Sequence, residues 1–140
     1  MLLRINDQAP NFQAEMTQGR IDFHQWIGKS WAVLFSHLKD FMPVFTTELG
    51  YLASIQAEFK MRNTKIIALS IDSLEDHRKW LFDVEDVGGA PIKYPIIADT
   101  DLRVAMLYNM LPADQTGPAE GRCAATNATV RSVFIVDPDK

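Results

Sequence analysis

Two unbroken apolar runs of strand length, Trp31-Ala32-Val33-Leu34-Phe35 and Ile66-Ile67-Ala68-Leu69, flank one long stretch of helical period. In that stretch Leu49, Leu52, Ile55 and Phe59 recur at steps of three and four, and Asn63 stands where a left-handed residue would end a helix that begins near Phe45. Strand, helix and strand in that order make a parallel pair joined by a crossover, and a run apolar at every position suits a central strand covered on both faces. The chain is therefore expected to be an α/β domain.

The remaining punctuation agrees. Phe12, Ala14 and Met16 alternate with polar neighbours, and Thr17-Gln18-Gly19-Arg20 reads as a turn into Ile21-Asp22-Phe23, which predicts an N-terminal hairpin. Residues 37–44, with Pro43, form a loop before the long helix, and residues 64–71 hold the second buried strand. Ser73 and Asp76 have the spacing of a capping box, opening a helix through His77 and Trp80 to about Val84. A loop at 87–91, a short strand at 94–98 and a short helix at 101–108 follow. Residues 111–128 show no period and read as a long loop, 129–136 as a last strand, and 137–140 as a hairpin turn. A last strand without a partner leaves backbone groups open to another chain, which predicts a homo-oligomer through that edge, or a longer protein.

Composition narrows the function. At 140 residues and 47% hydrophobic content the chain can bury the core of a single domain. Its formal charge of −4 supplies no basic field for nucleic acid or an anionic membrane, so neither is expected as a partner. No apolar run approaches the roughly 20 residues that span a bilayer, and Met1 to Asp7 lack a signal-peptide layout, which reads as a cytoplasmic protein. One cysteine, Cys123, excludes an intramolecular disulfide and a four-cysteine metal site. No metal-ligand spacing, Gly-rich phosphate loop or nucleophile elbow is present, and no cofactor is expected.

The segment from Trp31 to Gly50, then Ala68-Leu69-Ser70-Ile71-Asp72 with Asp76, His77 and Trp80, then Tyr94-Pro95-Ile96-Ile97-Ala98-Asp99, and last Thr129-Val130-Arg131-Ser132-Val133-Phe134, resemble one-cysteine peroxiredoxins in family order. The resemblance implies a thioredoxin-like fold with a peroxiredoxin N-terminal hairpin, in a single domain that stops before the family's terminal strand, helix and C-terminal dimerisation domain. It also implies a catalytic signature of Pro, three residues, Thr or Ser, two residues, Cys. Leu38, Met42 and Phe45 occupy those positions here. A phenyl ring can neither ionise nor be oxidised to a sulfenic acid, so by the family's mechanism the chain has no peroxidase activity. Glu48 and Arg131 match the family's acidic and arginine positions and are expected to persist as a structural ion pair, while His37 matches the histidine before the signature proline.

These replacements enlarge the apolar surface and are confined to the signature, which points to a deliberately altered chain whose new lining, Leu38, Met42 and Phe45, forms a substrate pocket. On that reading Cys123 is a nucleophile with a histidine base, for which His37 is preferred over His24 and His77, and Arg131 helps to hold an oxyanion. The substrate would be a small apolar or aromatic ester. The other reading is a catalytically dead peroxiredoxin-like protein that serves as a structural or interaction module. Lys39, beside the signature, is expected to be an ordinary solvated lysine.

Overall fold

The computed structural model describes residues 3–37, 39–110 and 132–140. The first hairpin is β1 (Gln13–Met16) and β2 (Gly19–Asp22), followed by a short helix α1 (Phe23–Ile27). Then come β3 (Trp31–Ser36), α2 (Pro43–Met61), β4 (Thr64–Ser70), α3 (Leu74–Gly88), β5 (Ile96–Ala98), α4 (Arg103–Leu107) and β6 (Val133–Val136). The strands form one mixed sheet in the order β2-β1-β5-β4-β3-β6. β3, β4 and β5 are parallel, as the strand–helix–strand pattern required, and β6 runs antiparallel along β3 with Leu34 opposite Phe134.

Alternating residues send two cores to opposite faces of the sheet. Ala32, Leu34, Ile67, Leu69 and Ile97 pack with Phe12, Phe23, Ile27 and Tyr108 on one face. Ile66, Ala68 and Ile96 pack with Phe45, Leu49, Ala53, Trp80 and Val84 from α2 and α3 on the other. β4 is thus covered on both sides, as its apolar run predicts.

β3 departs from that expectation. Ala32 and Leu34 are fully buried, but Trp31 is 44% exposed and Val33 and Phe35 are half-buried. The cause is that α2 packs over β4 and leaves the outer part of its face, at β3 and β6, open to a groove.

The ends of the helices follow local chemistry. Pro43 takes the first helical position of α2, where its missing N–H costs nothing. Past Met61 the chain turns at Asn63, with φ of 52°, as its left-handed tendency predicts. Ser73 Oγ accepts the Asp76 N–H at 3.2 Å, so the capping residue is the one read from sequence. α3 runs beyond Val84, however, to Gly88, and the left-handed Gly89 caps it by donating its N–H to the Glu85 carbonyl. The loop expected at 87–91 is therefore helical at its start.

Candidate functional site

The site is built where β3 ends and α2 begins. His37 follows β3 with its N–H on the Leu69 carbonyl of β4, 3.0 Å away. Three residues on, Asp40 turns its buried carboxylate inward, and its Oδ1 accepts from His37 Nε2 at 2.7 Å. Its Oδ2 lies 2.5 Å from Nδ1 of His77, which enters from the first turn of α3. The other nitrogen of His77, Nε2, donates to the Ile97 carbonyl of β5 at 2.9 Å. The loop is anchored a second time through the Asp40 N–H, which Asp72 Oδ2 accepts at 3.0 Å, and the same oxygen accepts from Ser70 Oγ at 2.6 Å.

His37, Asp40 and His77 are each no more than 3% exposed. Burial alone would raise the Asp40 pKa, but the hydrogen bonds and charge of His37 and His77 outweigh it and hold the carboxyl below its ordinary range. One ligand-type atom from each of the three lies within 4.8 Å of the others, so the donor set for a small cation is assembled here although no sequence spacing announces it.

Beside this cluster sits the position that the family resemblance assigns to a thiol. Phe45 lies in the first turn of α2 and is 4% exposed, packed in the core cluster that contains Leu49, Trp80 and Tyr94. Its ring centroid is 6.0 Å from that of His37, and the Trp80 ring is 5.0 Å from His37 on another side. Trp80 Nε1 donates to Thr46 Oγ1 at 2.8 Å, and that hydroxyl in turn donates to the Met42 carbonyl at 3.0 Å. Met42 is the N-cap of α2, makes no side-chain capping bond, and is half-buried against the same cluster.

Of the three residues expected to line a pocket, Phe45 is packed in the core, Met42 is half-buried against it, and Leu38 lies outside the described residues. The open groove next to that core, about 320 Å³, is lined instead by Val33, Phe35, Leu52, Ile55, Phe59 and Val133, with Ser36, His37 and Glu48 among its polar groups. Glu48 is half-buried there. His24, expected near the surface, is half-buried with Nε2 2.6 Å from the Ala9 carbonyl oxygen. Lys39 is exposed, as read from sequence. Leu38, Cys123 and Arg131 lie outside the described residues, and with them the proposed nucleophile, oxyanion group and ion pair.

Asp40 is the residue that sequence reasoning missed. Its three-residue distance from His37 was visible, but its partner His77 is 37 positions away, and no local period connects the two.

Comparison with known proteins agrees with the fold. A family model described as AhpC/TSA matches residues 5–140. The chain is 46% identical over 138 residues to a 1-Cys peroxiredoxin of Dictyostelium discoideum, covering 99% of this chain and 54% of that protein. It is 48% identical over 142 residues to Peroxiredoxin-6 of Rattus norvegicus, covering 99% of this chain and 61% of that one. Among solved structures, a cysteine-to-serine mutant of the Peroxiredoxin 6 of Arenicola marina superimposes with a TM-score of 0.87 at 41% identity, over 98% of this chain and 61% of that chain. A yeast mitochondrial 1-Cys peroxiredoxin gives 0.86 at 44% identity, over 99% and 64%. The chain thus spans 54% and 61% of the length of these two curated relatives.

Proposed function

Given that this chain belongs to the AhpC/TSA family and to its one-cysteine peroxiredoxins, we propose that it is a peroxiredoxin-fold interaction module whose peroxide chemistry is absent. The observation that carries this reading is Phe45, 4% exposed in the first turn of α2, where the family signature calls for the thiol. A helix N-terminus and a nearby imidazole favour a thiolate, and neither has anything to act on in a buried phenyl ring. His37 and Glu48 stand at family positions while Leu38, Met42 and Phe45 depart from the catalytic signature, the pattern a directed replacement would leave.

The partner we propose is a second copy. β6 ends the sheet with a strand neighbour on one side only among the described residues. Val133 and Ile135 project from it 60% and 70% exposed, next to Val33 and Phe35 in the register with β3. Antiparallel pairing of two such edges would satisfy their backbone groups and cover these side chains.

A thiol hydrolase using Cys123 is less well supported. Its preferred base, His37, is only 1% exposed and already bonds Asp40 through Nε2.

Sedimentation equilibrium tests the module reading. The chain is expected to dimerise, and Ile135→Lys to shift it to monomer with unchanged circular dichroism. A wild-type chain monomeric at high concentration would refute self-association through this edge.

A further inference from the structure

The fixed roles of atoms around His77 count the protons in the buried cluster. The Ile97 carbonyl can only accept, so His77 Nε2 carries a hydrogen. In a neutral imidazole the other nitrogen, Nδ1, would then present a lone pair to the Asp40 carboxylate at 2.5 Å, two acceptors facing each other without water. That contact is stable only with a further proton between the two atoms. With Asp40 ionised, His77 is an imidazolium on its Oδ2, while its Oδ1 accepts from His37 Nε2. A buried carboxylate paired with a buried imidazolium avoids the penalty of an uncompensated charge.

We infer that one proton held between His77 Nδ1 and Asp40 Oδ2 is a latch that fastens the loop between β3 and α2 onto α3 and β5. Three parts of the fold meet at that proton. His37 and Asp40 come from the loop side, His77 from α3 and the Ile97 carbonyl from β5. Among the described residues, the groups that face Asp40 and His77 are acidic, hydroxyl or aromatic. Asp72 faces Asp40 from the turn after β4 and takes its N–H, Ser70 bonds Asp72, α2 contributes the Phe45 ring, and α3 contributes the Trp80 ring. Lys39 and Asp76, near in sequence, are exposed. Taking the proton away leaves a carboxylate against a lone pair beneath the strand-to-helix loop, where Phe41 is exposed at φ of 66°.

Nitrogen and proton NMR of the histidine rings of the full chain tests this. The expected result is one histidine with both ring nitrogens protonated and one strongly deshielded, slowly exchanging proton, kept in His37→Gln and lost in His77→Gln. Amide exchange at residues 39–46 should then be about tenfold faster in His77→Gln than in the unaltered chain, the size expected for losing one charge-assisted hydrogen bond. Unfolding of His77→Gln would not rescue the inference, because the unaltered chain and His37→Gln carry the ring signals on their own. A His77 ring with an unprotonated Nδ1 and no deshielded proton would overturn it. So would metal analysis of the purified protein showing one divalent ion per chain, since the cation between the ligands would then be the metal.

Discussion

Gly50 of α2 and Gly88 of α3 meet backbone to backbone, so that a Cβ added to Gly88 would lie 2.6 Å from the Gly50 Cα. The reverse addition is less severe, meeting the Gly88 nitrogen at 3.0 Å. The two helices cross at this point because neither residue has a side chain, and the crossing sets how α3 delivers His77 to the site. Gly88→Ala is therefore expected to destabilise the protein by about 1–3 kcal/mol despite alanine's better helix propensity, with Gly50→Ala less harmful. Urea midpoints of the two variants check the order.

The same pair marks the limit of what the sequence made legible. The central strand–helix–strand unit was visible because apolar period alone specifies it, and Ser73 announced its helix through side-chain chemistry three residues ahead. Alternation and turn residues marked the N-terminal hairpin and the later short elements, and the family resemblance named the fold. Gly88-Gly89, in contrast, read as a loop, because a glycine needed for close helix packing looks the same in sequence as one needed for a turn. The open face of β3 was not legible either: an apolar run states that a strand can be covered, and neighbouring elements decide whether it is. The Asp40 cluster was hidden for a related reason, since its contacts join residues brought together only by the finished sheet.

Asp40 makes stability depend on acidity with a definite sign. Its carboxyl is held below the ordinary value, chiefly by its two histidine bonds working against burial, so the folded state binds its proton less readily than the unfolded chain does. The stabilisation is complete above the unfolded value of about 3.9 and is lost as pH falls through the lower folded value. Asp40→Asn should cost about 3–5 kcal/mol at pH 7, as for breaking a buried pair, with the gap narrowing below about pH 4. Denaturant titrations of both proteins from neutral to acidic pH measure that gap.

Asp99 is expected to act with the opposite sign. Burial pushes its carboxyl up to about 6, against the pull of the Ala105 and Val104 N–H groups that its two oxygens accept at 2.7 and 3.0 Å. The folded state therefore holds this proton more tightly than the unfolded chain, and its contribution declines as pH rises from about 4 to about 6. Asp99→Asn should flatten that part of the profile while costing about 1–3 kcal/mol at pH 5, because an amide offers one acceptor oxygen to two donors. An unchanged slope in the variant would assign the effect to another group.

The central claim is that filling position 45 removed the chemistry while the frame around it stayed. Stopped-flow consumption of hydrogen peroxide by the unaltered chain, and by a chain carrying Leu38→Pro, Met42→Thr and Phe45→Cys, tests it most directly. Removing the phenyl ring should cost the restored chain up to about 3–5 kcal/mol, so its folding is checked first by circular dichroism. The unaltered chain is predicted to react no faster than an ordinary free thiol, and the restored chain orders of magnitude faster. Rapid peroxide consumption by the unaltered chain would contradict the account.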